Sequence, residues 1–193
     1  MEQRDEQWHS ERAVRITASR FGDVLANPNT KRYRYYMDDI IDALHGFKKF
    51  PKETPWFDHG TAWEAEARGE YAWKMDCDVD VPALIVHPKY DFISYSPDGH
   101  IGTEGGLEIK CHKSLKEFRK SEKGMPSNHK PQVQGSLWIS GYEQCDFVSY
   151  YRNFDGTKRL IHIHPVEPDL KYHKRLESAC LDFWAKVQAE LEG

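Results

Sequence analysis

The stretch Ser96-Pro97-Asp98-Gly99-His100-Ile101-Gly102-Thr103-Glu104-Gly105-Gly106-Leu107-Glu108-Ile109-Lys110 decides how this chain folds. Leu107–His112 reads as a strand, and in a strand the side chains at i and i+2 share a face. Glu108 and Lys110 therefore point the same way while Ile109 enters the core. Gly102, Gly105 and Gly106 let the chain turn back between the two halves of the stretch, which brings Asp98 alongside Glu108. Two carboxylates converging from adjacent strands form a hard-oxygen site suited to Mg²⁺ or Mn²⁺. Lys110 beside them can orient or activate a nucleophile and offset charge gathering on a phosphate. Each half alone has an ordinary explanation: Pro-Asp-Gly is a common turn, and Glu-x-Lys on one strand face is often an exposed charge pair. Taken together, with the glycine return and a basic stretch immediately after, they point to a site.

Working outward, the spacing predicts a short helix over 19–26, with Ser19 or Thr17 as cap, and a second over 32–45 ending at Gly46. A third is predicted over 58–75 with Asp58 as cap, where Trp63, Ala67 and Tyr71 form one buried stripe and Glu64 lies at its edge. The period then changes. Val79–Val86, Tyr90–Ser96, His100–Ile101 and Leu107–His112 read as strands. Helices follow over 114–121 and 129–140, then strands Asp146–Arg152 and Arg159–Val166 around an Asp155-Gly156 turn. The last helix, 167–191, carries Tyr172, Leu176, Phe183, Val187 and Leu191 inward. No linker divides the 193 residues, so they read as a single domain of mixed α/β (α+β) class around a central sheet.

Composition narrows the function classes. Hydrophobic residues make up 39% and charged residues 30%, which excludes a disordered chain. No apolar run approaches the roughly 20 residues a bilayer span needs, and residues 1–6 lack the apolar stretch of a secretory signal, so a cytoplasmic location is expected. Cys77, Cys111, Cys145 and Cys180 are spaced 34, 34 and 35 apart, but their contexts differ and no CxxC is present; they read as reduced thiols. Net charge is −4, yet residues 107–134 carry a balance of +4 and residues 31–52 one of +3. Polyanion binding needs one basic face, not a basic total. His162 and His164 share a strand face, but no third ligand stands at zinc-site spacing.

The motifs now resemble a known family. Asp…Glu-x-Lys on a strand meander, preceded by a helical Glu, is similar to the PD-(D/E)XK nuclease superfamily with its restriction-endonuclease-like fold, a central mixed β-sheet flanked by helices. Arg12…Ile16-Thr17-Ala18-Ser19, residues 60–68, Ser96-Pro97-Asp98-Gly99, Gly106-Leu107-Glu108-Ile109-Lys110-Cys111 and residues 132–138 resemble the phage lambda exonuclease, or viral recombinase, family in order and spacing. The similarity spans roughly residues 10–190.

The resemblance implies a 5′→3′ exonuclease on linear double-stranded DNA that releases 5′ mononucleotides and leaves a 3′ single-stranded tail. Asp98, Glu108 and the main-chain carbonyl of Ile109 would ligate Mg²⁺, for which Mn²⁺ can substitute. Lys110 would position the nucleophilic water, and Glu64 would approach a second metal, with Glu66 its competitor. Gln132 matches the family's active-site glutamine; Gln134 lies about 200° around the same helix, so only one of them faces the site. Arg12, Ser19 and Ser96 match a pocket for the 5′ phosphate, a sensible match for an Arg fork, two hydroxyls and a helix start. Phe57 falls where the family places an apolar wedge between strands, with Trp56 or simple packing as alternatives. Arg34, Lys48, Lys49 and Lys113 are generic DNA-contact candidates. A ring-shaped homotrimer, a single-strand annealing protein as partner and a phage or prophage origin in a bacterial host cytoplasm are implied in the same way. Two rivals stay open: another endonuclease of the superfamily, and a DNA-binding module without catalysis.

Overall fold

The computed structural model describes residues 1–47 and 55–193, the side chains of 55–62 excepted. Five β-strands form the larger sheet: β2 (Val79–Asp80), β5 (Gly99–Ile101), β6 (Gly105–His112), β7 (Gln144–Arg152) and β8 (Arg159–Val166), paired in that order. β6 runs parallel to β7, and the other pairs are antiparallel. A second, three-stranded sheet holds β1 (Ile16–Thr17), β4 (Ile93–Tyr95) and β3 (Ile85–Val86), in the order β1-β4-β3.

The helices are α1 (Glu6–Ala13), α2 (Phe21–Val24), α3 (Lys31–Leu44), α4 (Pro55–Met75), α5 (Leu115–Lys120), α6 (Lys130–Ser140) and α7 (Leu170–Glu192). Alternation along β6 sorts its side chains between two layers. Leu107 and Ile109 pack with Val148 and Tyr150 of β7 beneath Ala67 and Tyr71 of α4. On the opposite face Phe147 and Cys145 pack under Val133 and Leu137 of α6. Tyr71 is buried to its hydroxyl, which donates to Asp146 Oδ2 at 2.6 Å and so escapes the penalty of an unpaired buried polar group. A third cluster joins α3 to α7: Leu176, Cys180, Phe183 and Val187 meet Tyr33, Tyr36 and Ile40, as the helical spacing of α7 requires. Among the described residues no helix is long and apolar enough to cross a membrane. All four cysteines are free thiols, two of them buried.

Four expectations need correction. The run Val79–Val86 is two strands in two different sheets, because Pro82 cannot donate to a ladder and the chain changes sheet around it. The helix over 19–26 shrinks to a 3₁₀ turn at Ala18–Arg20 followed by the four residues of α2, and neither Thr17 nor Ser19 supplies a side-chain cap. Helix α1 was not anticipated, since it buries only Trp8 and shows no apolar stripe to read. Its start is capped by Asp5, whose Oδ1 accepts from Trp8 N at 2.6 Å. The Asp58 cap falls as well, because α4 already begins at Pro55, three residues earlier. The side chains of the Phe57 and Trp56 wedge candidates, and Lys48 and Lys49 altogether, lie outside the described residues.

Candidate active site

The site grows from the hairpin β5–β6. Gly102 turns the chain with φ +57°, and Ile101 pairs with Gly105. At the other end of β5, Gly99 pairs with Leu107, and a Cβ there would stand 2.4 Å from Val79 Cγ1 and 3.1 Å from Leu107 Cδ2. That close approach sets Asp98 against β6, where its Oδ2 accepts from Ile109 N at 2.7 Å. The carboxylate thus continues the strand pairing where β5 has not yet begun, and one of its oxygens is fixed by a main-chain amide.

Glu108 is 3% exposed and Lys110 Nζ lies 2.5 Å from its Oε1. Burial drives the Glu108 pKa up to about 7, helped by the charges of Asp98 and Glu64 and opposed by Lys110. Asp98 is raised by burial too, against the pull of Lys110, the Ile109 amide, Arg68 and Arg4. Burial alone would lower Lys110, but Glu108 and Asp98 outweigh it and hold the ammonium above its ordinary pKa. Two carboxyl groups crowded in a dry place with one cation form a centre still rich in negative charge, which suits a divalent ion.

Glu64 enters from α4, the helix covering the other face of β6. Its Oε2 lies 3.2 Å from Arg4 Nη2 and its Oε1 3.0 Å from Arg68 Nη2, while Arg68 Nε donates to Asp98 O at 2.7 Å. Burial and the Asp98 charge raise its pKa. Glu66, its competitor, is engaged elsewhere: it accepts from Tyr150 Oη and is paired with Arg152 and Arg159, anchoring α4 to β7 and β8. Among the described residues no three His, Cys, Asp or Glu side chains close around one point as a ready metal cage. The Asp98–Glu108 pair therefore fits a metal bound through two carboxylates plus water and substrate, the manner usual for Mg²⁺.

The three residues matched to a phosphate pocket also come together. Arg12 Nη1 donates to Ser96 Oγ at 2.8 Å, and its Nη2 lies 3.4 Å from Ser19 Oγ. Trp8 Nε1 donates to the same Ser96 Oγ at 2.9 Å, and its ring lies 4.4 Å from the Arg12 guanidinium carbon. Ser96 Oγ thus accepts two hydrogen bonds. Burial lowers the Arg12 pKa, against the Tyr36 and Asp98 charges, but a guanidinium stays protonated in any case. One cavity of about 190 Å³ contains Arg12, Ser19, Ser96, Asp98, Glu108 and Gln132. A larger one, about 370 Å³, adjoins it and shares Arg12 and Ser19.

The choice between glutamines follows from the same geometry. Gln132 lines the cavity. Gln134 is buried, donates to Glu167 O, accepts from Asp169 N, and meets His173 Nε2, each at 2.8 Å. It ties α6 to the start of α7. Of the remaining cation candidates, Arg34 and Lys113 are exposed.

Sequence reasoning missed Trp8, Gln3, Arg4 and Arg68. The Trp8/Arg12 and Glu64/Arg68 spacings of four on helices could have revealed two of them, since such pairs are neighbours on a helix surface. Arg4 had no such signal.

The model of the YqaJ-like viral recombinase domain matches residues 7–143. The alkaline exonuclease LHK-Exo from Laribacter hongkongensis has a TM-score of 0.84 at 29% identity, with 97% of this chain and 95% of that chain covered. Its complex with dAMP matches equally well in structure, at 28% identity and the same coverage. A phage-related exonuclease from Haemophilus somnus 129PT shares the fold, with a TM-score of 0.60, 14% identity and coverage of 92% and 96%. Uncharacterized protein R354 of Acanthamoeba polyphaga mimivirus is 24% identical over 196 residues, 93% of this chain; the chain spans only 35% of that relative's length. The chain belongs to the YqaJ-like viral recombinase family and has the lambda-exonuclease-like PD-(D/E)XK fold.

Proposed function

We propose that this protein is a divalent-metal-dependent 5′→3′ exonuclease acting on linear double-stranded DNA, releasing 5′ mononucleotides and leaving a 3′ single-stranded tail. One observation carries the reading: Asp98 and Glu108, with Lys110 on Glu108, share a cavity with Arg12, Ser19 and Ser96. A centre suited to phosphodiester hydrolysis thus lies beside a pocket suited to a terminal phosphate. The name and dAMP complex of the alkaline exonuclease relative support the same class of chemistry.

Asp98, Glu108 and the Ile109 carbonyl would hold Mg²⁺, with Glu64 toward a second ion. When bound, the metal supplies polarisation of the scissile phosphate and a lowered pKa for a coordinated water. The residues of the chain do the rest. The Lys110 ammonium orients the attacking water and offsets charge on the phosphate. Arg12 offers a fork to the terminal phosphate, and Ser19 and Ser96 add hydroxyls to it. Gln132 offers an amide across the cavity. The same reading takes the homotrimer and the single-strand annealing partner from the family resemblance; light scattering of the purified protein tests the trimer.

End-labelled linear duplex, incubated with and without Mg²⁺ beside closed circular DNA, tests the proposal. Linear DNA should be degraded from phosphorylated 5′ ends only with metal, and closed circles should survive. Nicked circles would favour an endonuclease; binding without metal-dependent cleavage would favour a non-catalytic module.

A further inference from the structure

Arg4 lies outside the motifs that carry the family resemblance, yet the fold puts it in the site. Its backbone adopts φ +75°, in the left-handed region that a β-carbon disfavours. Neighbours on both sides hold it there. Gln3 Nε2 donates to Pro82 O at 2.9 Å and to Pro97 O at 2.7 Å, tying the segment to the residue before Asp98. Asp5, on the other side, caps α1, the helix that carries Trp8 and Arg12.

Arg4 lines the cavity that holds Arg12, Ser96, Asp98 and Glu108. Its guanidinium lies against Glu64, and its charge is felt at Asp98. Glu64 does not depend on it, because Arg68 holds the other carboxylate oxygen at 3.0 Å. The Arg4 side chain is 32% exposed, so a ligand in the cavity can reach it.

We propose that Arg4 is a substrate-binding residue: its guanidinium takes a backbone phosphate of the DNA strand passing between the Arg12 pocket and the carboxylate pair, exchanging its contact with Glu64 for that phosphate. The planar fork suits a phosphate better than a point charge does. This inference rests on the nuclease reading above. Its rival is a structural one, in which Arg4 serves only to neutralise Glu64.

The test is binding of a 5′-phosphorylated linear duplex in EDTA over a salt series, for the wild type, Arg4→Gly and Arg4→Lys, with thermal melting alongside. Glycine removes the side chain and also suits the backbone conformation, so the fold is kept. Arg4→Gly should weaken binding about tenfold. It should also lower the slope of log K against log salt by about one, the signature of one lost phosphate contact. Arg4→Lys should restore the slope but only part of the affinity. Arg4→Gly with wild-type affinity and slope overturns the proposal. So does a lowered melting temperature with an unchanged slope, which would make Arg4 structural. If the wild type degrades linear duplex and Arg4→Gly binds as it does, only the Arg4 assignment falls. If the wild type neither binds nor degrades it, the nuclease reading falls and takes Arg4's role with it.

Discussion

The two halves of the cavity are built on different principles. The carboxylate half belongs to the five-stranded sheet, where regular pairing drives Asp98 and Glu108 together in a buried place and raises both pKa values. The Arg12 half belongs to the small sheet and its flanking helix, with a guanidinium and hydroxyls that carry no titration near neutral pH. The first crowds two carboxyl groups against burial and against each other. The second is already satisfied, with Trp8 and Ser96 holding Arg12 in place. On the proposed reading, one half is therefore sensitive to pH and metal, and the other is preorganised for an anion.

The largest effect should come from Lys110→Ala, which should cut Mg²⁺-dependent turnover about 10³-fold or more. DNA binding measured in EDTA should change only a few-fold. Retained turnover would remove Lys110 from the chemistry and blur the distinction between the halves. Next, Arg12→Ala should erase a preference for 5′-phosphate over 5′-hydroxyl ends of about 10- to 100-fold, the worth of a charge-assisted fork. Competition between the two kinds of end reads this directly, and an undiminished preference would break the assignment of the second half.

The pH response separates the halves more finely. In the fold Glu108 titrates at about 7, against an ordinary 4.5. A raised native pKa means that the folded protein binds the proton more tightly than the unfolded chain does. The resulting stabilisation is complete below about 4.5 and is lost as pH rises through about 7. Without metal, the melting temperature of the wild type should fall relative to Glu108→Gln between pH 5 and pH 8. Added Mg²⁺ should raise it by several degrees at pH 8 and little at pH 5, because only the charged carboxylate binds. Equal Mg²⁺ shifts at the two pH values would contradict the crowding of Asp98 and Glu108. The smallest effect on activity is expected of Gln134→Ala, which should lose about 1–3 kcal/mol of stability and keep its turnover. Gln132→Ala should do the reverse, and melting curves beside initial rates distinguish them.

Much of the carboxylate half was legible in the sequence. Strand alternation alone assigned Glu108, Ile109 and Lys110 to their faces, and the glycines announced the return that brings Asp98 in. The Arg12 half was reached only through family resemblance, for a physical reason. Helix α1 buries one residue, and β1, β3 and β4 are two or three residues long, too short for any period to show. Arg4 was illegible because its place depends on a backbone angle and on two long-range hydrogen bonds from Gln3. Gln134 could be separated from Gln132 by helical angle, but which of them faced inward depended on where α7 begins.

The tripeptide Ser96-Pro97-Asp98 crosses from β4 to β5, and so from one sheet to the other. Its ends can stand no more than about 7 Å apart, and Pro97 removes one of the torsions that could vary this gap. On the proposed reading, the grip on the terminal phosphate and the grip on the metal are joined by a tether of bounded length, on the scale of a single nucleotide. The stride of the enzyme would then have a covalent upper limit, unaffected by how strongly either end of the tether holds on.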